Sequence, residues 1–268
     1  MIRRPPRSTL SSSSAASDVY KRQPICRLHN GVKSRMLGKL FGVGVGPGDP
    51  ELLTLKAVRV IKSVRYVAYP VLEDNESFSK SVVASYLNKD VIEIPLIVPM
   101  TVQRNPAQLA YDLSAKKISK ILDDGENVVC LCEGDPFFYG SFMYIFSRLS
   151  DRYDIEIIPG ITSLTAGTAA AKLPLLARNE YLTVIPGTLE EALIRDRILR
   201  ADAAVIMKVG RHIEKIKSIL NDLSLTSCST YIEYATLPHQ RVLKLIDSPL
   251  IAPYFSMIIV TKGTDPWL

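Results

Sequence analysis

Short apolar runs alternate with amphipathic segments along most of the chain, and many of the runs end in a glycine or proline turn. Such runs read as buried strands, and apolar positions recurring every three or four residues read as helix faces. The first run, Leu40–Val45, leads into Gly46-Pro47-Gly48-Asp49-Pro50, with a helix expected over Glu51–Ala57. A strand at Tyr66–Pro70, a polar loop over 71–80, a helix over Ser81–Asn88 and a strand at Val91–Pro95 follow. Leu109, Leu113, Ile118, Ile121 and Leu122 share one face of a helix over Ala107–Leu122, closed by Asp123-Asp124-Gly125. Asn127–Cys132 is a buried strand, followed by a Gly-Asp-Pro turn and a helix from Phe142 that Ser141 would cap. Ile155–Ile158 is the next strand, and Pro159-Gly160-Ile161-Thr162-Ser163 opens a small-residue helix over Leu164–Lys172.

The second half predicts strands at Leu182–Ile185, Ala204–Met207, Thr230–Glu233, Val242–Leu245 and Ser256–Val260, with helices between the first three. The last three have short connections, which favour antiparallel pairing. An alternating first half and a mixed second half imply an α/β protein of two domains, 40–157 and 158–268, with a cleft between them.

Three strand-to-helix turns share one design, around Gly44–Gly48, Gly134–Gly140 and Gly160–Ser163. Any one alone is an ordinary connection. Three together suggest a ligand site, because ligands of open α/β sheets sit at the carboxyl ends of strands. Gly134 would let backbone approach a ligand, Asp135 would accept hydrogen bonds from it, and Thr162 and Ser163 would cap a helix while facing it. The dinucleotide fingerprint G-x-G-x-x-G fails: counted from Gly42 its sixth position is Pro47, and from Gly44 it is Asp49. No Gly-Lys-Ser/Thr follows either. A ligand without a pyrophosphate is implied, which argues against a nicotinamide-dependent oxidoreductase.

Composition alters this picture at the front end. Residues 1–39 carry nine Lys/Arg against one Asp, leaving 24 Lys/Arg against 26 Asp/Glu in the rest, so the net charge of +6 belongs to the tail. The body is nearly neutral, and nucleic acid is not an expected partner. The tail is Arg- and Ser-rich without a helical or strand period, and residues 1–39 are expected to be a disordered or artefactual extension. No apolar stretch approaches the ~20 residues that span a bilayer, so no membrane partner is expected. Cys26, Cys130, Cys132 and Cys228 make no disulfide framework, which suits a reducing, cytoplasmic setting. Cys130 and Cys132 share a strand face, but no histidine lies near them in sequence. Buried strand cysteines are expected there, and no metal site.

Gly44-x-Gly46-Pro47-Gly48-Asp49-Pro50-Glu51-Leu52-Leu53-Thr54, Gly134-Asp135-Pro136-x-x-Tyr139-Gly140 and Pro159-Gly160-Ile161-Thr162-Ser163, in this order, resemble the tetrapyrrole methylase family. The resemblance covers 40–262. Within the family, Leu131–Tyr144, Lys172–Arg178 and Met207–Gly210 are most similar to the branch methylating precorrin-2 or cobalt-factor II at C-20 in cobalamin synthesis. Uroporphyrinogen-III methylases usually have glycine where Glu133 stands; these, the diphthine synthases and a non-catalytic tetrapyrrole-binding protein are the alternatives.

The resemblance implies a two-domain class III methyltransferase fold, with a mostly parallel sheet in the first domain, a mixed sheet in the second and the site between them. It also implies a homodimer and S-adenosylmethionine as methyl donor. The matching cofactor positions are Pro47, Glu133, Gly134, Asp135, Phe138, Thr162 and Ser163. Met207 and Ala235 follow by weaker correspondence, Met207 reading equally well as a core residue. A polycarboxylate macrocycle calls for cations at the rim, for which Arg104 in the loop Val102–Pro106, Arg178 and Lys208 are candidates, with Tyr139 beside them. For each cation a solvated surface charge is the commoner outcome, and Arg178 and Lys208 are favoured because they lie next to motif loops. Glu133, Asp49, Tyr139 and a bound water are candidate proton acceptors, and the sequence does not choose among them.

Overall fold

A computed structural model describes residues 36–71, 77–97 and 104–263. Its first sheet contains β1 (Leu40–Gly44), β2 (Tyr66–Val71), β3 (Ile92–Ile97), β4 (Val128–Cys132) and β5 (Ile155–Ile158). The strand order is β3-β2-β4-β1-β5, and every pairing is parallel. Side chains alternate between the two faces, as the pleat requires. Val43, Val67, Val129 and Leu131 pack with α1 (Leu55–Ser63) and α2 (Phe78–Val83). Leu40, Ala68, Cys130 and Cys132 pack with α3 (Arg104–Asp123) and α4 (Phe142–Leu149) on the other face. Both cysteines are buried, on the shared face that their spacing predicts. Strands covered on both faces read as unbroken apolar runs, which is why β4 was so legible.

β1 and β4 are neighbours whose connections leave to opposite faces of the sheet, to α1 and α4 respectively. That is a topological switch point, where an open sheet leaves a crevice at its carboxyl edge.

The second sheet runs β6 (Leu182–Pro186), β7 (Ala203–Met207), β10 (Ser256–Thr261), β8 (Ser229–Glu233), β9 (Arg241–Lys244). Only β6 and β7 are parallel; the rest pair antiparallel. α6 (Glu191–Arg200) and α7 (Ile213–Asp222) cover one face. The small-residue helix α5 (Ser163–Ala171) lies on the other, so close that a Cβ on Gly167 would meet the Met257 sulfur at 2.8 Å. Both sheets belong to one packed unit.

Several boundaries differ from the sequence reading. The helix expected at Glu51 is divided by two caps. Asp49 accepts from Glu51 N over a 3-10 turn at Pro50–Leu52, and Thr54 accepts from Ala57 N at the true start of α1. α2 begins at Phe78 because Ser77 accepts from Lys80 N. Arg104 heads α3 rather than lying in a loop, since Pro106 is tolerated in a first turn; its side chain lies outside the described residues. Ser141 occupies the N-cap of α4 but makes no capping bond. Of residues 1–39, those from 36 onward are described. Gly38 N donates to Leu122 O, and Lys39 pairs with Asp154 and Glu156.

Candidate active site

The loops after β1, β4 and β5 meet at the switch point, where close backbone contacts demand glycine. Gly46 and Gly134 exchange hydrogen bonds of 3.1 and 2.9 Å, and both hold left-handed conformations, φ +77° and +63°. A Cβ on Gly160 would lie 2.0 Å from the Gly134 carbonyl oxygen, and one on Gly44 2.6 Å from the same atom. Gly134 therefore brings backbone against backbone and also lies in a cavity wall.

Asp135 lines the same region and also binds main chain. Its Oδ1 accepts from Phe137 N at 2.9 Å and Phe138 N at 3.1 Å, and its Oδ2 from Gly160 N at 3.1 Å. The carboxylate clasps the second loop to the third. Thr162 caps α5, accepting from Thr165 N, with Ser163 as the first helical residue.

Above these loops lies a cavity of about 210 Å³. Pro47, Glu133, Gly134, Asp135, Phe138, Thr162 and Ser163 line it from the first sheet's loops and α5, and Met207 and Ala235 from the second sheet. Tyr139 and Lys208 are also in its wall. Both hold left-handed backbone, φ 56° and 57°, and the Lys208 ammonium sits 5.5 Å from the centre of the Tyr139 ring. Non-glycine residues in that region cost roughly 1–2 kcal/mol each, and such strain collects where side chains must be aimed at a ligand.

Arg178 is not in the wall. It sits at the corner of a turn closed by Glu180, whose N–H donates to Ala177 O and whose carboxylate accepts from Ala177 N. Asp49 is likewise absent from the wall; its Oδ1 is used on Glu51 N.

Glu133 is partly buried in the wall, and burial alone pushes its carboxyl above the usual range. No hydrogen-bond or ion-pair partner faces it among the described residues. Burial pushes the adjacent Cys132 thiol up to about 11.

Phe78, Ile232, Tyr254, Phe255 and Met257 complete the wall and were missed from sequence. Phe78 and Phe255 stack at 4.6 Å, joining the two halves of the chain. Asp49 N also donates to Thr236 Oγ1 at 3.1 Å. The aromatic pair Tyr254-Phe255 just before a strand was the one available signal.

The wall combines the apolar side chains of Phe138, Met207, Ile232 and Ala235 with hydroxyl- and carboxylate-bearing ones. Among the described residues no cluster of three or more His, Cys, Asp or Glu could hold a metal ion, and no helix is long and apolar enough to cross a membrane. A parallel sheet carrying three converging glycine loops, closed by a mixed sheet, defines a class III methyltransferase architecture.

The profile of the tetrapyrrole (corrin/porphyrin) methylases matches residues 39–246, and the chain belongs to that family of methyltransferases. The resemblance read from the glycine motifs is thereby borne out. The chain is 38% identical over 238 residues to the precorrin-2 C(20)-methyltransferase of a Sinorhizobium species, covering 85% of this chain and 97% of the relative. It is 30% identical over 233 residues to the cobalt-precorrin-2 C(20)-methyltransferase of Salmonella typhimurium, covering 85% and 98%. The solved structure of uroporphyrin-III C-methyltransferase from Thermus thermophilus, complexed with S-adenyl homocysteine, shares the fold. Its TM-score is 0.61 at 24% identity, over 84% of this chain and 98% of that one.

Proposed function

We propose that the cavity binds S-adenosylmethionine, and that the protein transfers its methyl group to C-20 of precorrin-2 or cobalt-factor II in corrin synthesis. The observation that carries this reading is the convergence of nine motif positions, scattered from Pro47 to Ala235, on one cavity wall. The two C(20)-methylating relatives support the choice of acceptor, and Glu133 distinguishes the second loop from its uroporphyrinogen-methylating siblings.

The residues present fit the donor. Phe138, Met207, Ile232 and Ala235 offer an apolar wall, which favours a transfer that discharges a cation. Thr162, Ser163 and the main chain of the glycine loops offer polar groups for the remainder. When bound, S-adenosylmethionine supplies an already activated methyl, so the protein's task is mainly alignment, which can contribute about 7–11 kcal/mol. Asp135 holds two loops in one arrangement, and Lys208, poised over Tyr139, is placed to meet a carboxylate of the macrocycle. We further propose a cytoplasmic homodimer that binds no metal and takes neither nucleic acid nor membrane as partner; sedimentation tests the dimer.

The test is an anaerobic assay of the full chain with methyl-labelled S-adenosylmethionine, offering precorrin-2, cobalt-factor II and uroporphyrinogen III in parallel. Label at C-20 of either of the first two is expected. Label on uroporphyrinogen III alone, or on none, overturns the assignment of acceptor.

A further inference from the structure

We propose that Glu133 is the proton acceptor of the methyl transfer, taking the hydrogen from the carbon that gains the methyl group. This rests on the proposed C-20 reaction. A new C–CH₃ bond forms there as the S–CH₃ bond breaks, with its electron pair left on sulfur. The meso carbon then carries both CH₃ and H. Conjugation returns when that H leaves as a proton and its bonding pair joins the ring. Glu133 changes from carboxylate to carboxylic acid and afterwards releases the proton to water, so no further reactant is needed.

Placement argues for Glu133 over the other groups. It lies in the second glycine loop, beside residues that would seat the donor, yet its carboxylate has no bonding partner among the described residues. Asp135, two positions on, is committed to three main-chain N–H groups. Asp49 is outside the wall and caps a turn. Tyr139 is 44% exposed at the rim, with Lys208 over its ring. A carboxylate held without partners in a partly dry wall binds a proton more tightly than one in water, which suits a general base near neutral pH. The titratable and charged groups around it are Cys132, Asp135 and Tyr139 on its own segment, Lys208 after β7 and Tyr254 before β10.

The experiment compares wild type, Glu133→Gln and Glu133→Asp in the labelled assay. It adds calorimetric binding of S-adenosylhomocysteine, a pH profile, and an acceptor carrying deuterium at C-20. Glu133→Gln is expected to lower kcat about 10²–10⁴-fold and to lower S-adenosylhomocysteine affinity by a far smaller factor. It should remove the acid limb of the wild-type profile, where rate rises with pH as Glu133 ionises. The deuterium isotope effect should grow as proton removal becomes limiting, and Glu133→Asp should keep more of the rate than Glu133→Gln. A Gln variant within about threefold of wild type with the acid limb intact overturns the proposal, as does the reverse order of the two variants. So does a loss of S-adenosylhomocysteine affinity that matches the loss of rate. In each case the wild type still labels C-20, so the proposed function survives. A wild type that never labels C-20 overturns both.

Discussion

Gly160→Ala probes the meeting of the three loops most directly. The added Cβ would sit 2.0 Å from Gly134 O and 2.9 Å from both Gly44 C and Gly44 Cα, whereas real Cβ contacts essentially never fall below 3.0 Å. Every atom it meets is backbone, so no side chain can rotate away. The Gly134 carbonyl must retreat by about 1 Å, and it is the acceptor of the 3.1 Å bond from Gly46 N. Overpacking of this kind costs about 1–3 kcal/mol, and the weakened hydrogen bond about 1 more, giving about 2–4 kcal/mol in all. Gly210→Ala is the control. Its Cβ would meet nothing nearer than 3.8 Å, and a change within about 0.5 kcal/mol is expected. Urea denaturation measures both, and calorimetry measures S-adenosylhomocysteine affinity, which should fall at least tenfold for Gly160→Ala alone. A Gly160→Ala protein as stable as the control, with unaltered affinity, would refute the idea that backbone contact among these loops shapes the site.

Asp135→Ala removes the acceptor of three main-chain N–H groups; a loss of about 2–4 kcal/mol together with weakened S-adenosylhomocysteine binding is expected. Wild-type stability in urea would show the clasp to be idle. Lys208→Met should raise KM for the acceptor about tenfold, with S-adenosylhomocysteine affinity unchanged, as expected of a rim cation meeting a carboxylate. The wild-type KM should also rise with ionic strength; a salt-independent KM counts against the contact.

Much of the fold was legible because its signals are local. The central strands of the parallel sheet are covered on both sides and stand out as apolar runs, and Val128–Cys132 is buried at every position. Cap positions were less legible. Asp49, Thr54 and Ser77 each looked like part of a neighbouring loop or helix, and only main-chain geometry shows which N–H each side chain accepts from. Ser141 has the residue type and position of a cap but makes no capping bond.

The order and composition of the glycine motifs determined the family, the α/β architecture and most of the cavity wall, because turns that demand left-handed or crowded backbone restrict residue choice wherever they occur. The tertiary structure decided what each motif residue does. Asp135 binds main chain, Gly134 meets other glycines, and Lys208 reaches Tyr139 in the cavity wall, whereas Arg178 is not part of that wall. It also placed Phe78 against Phe255 across the two halves of the chain. Such contacts join residues far apart in sequence, and they form only once both sheets have buried their faces and the loops at their edges have no other place to go.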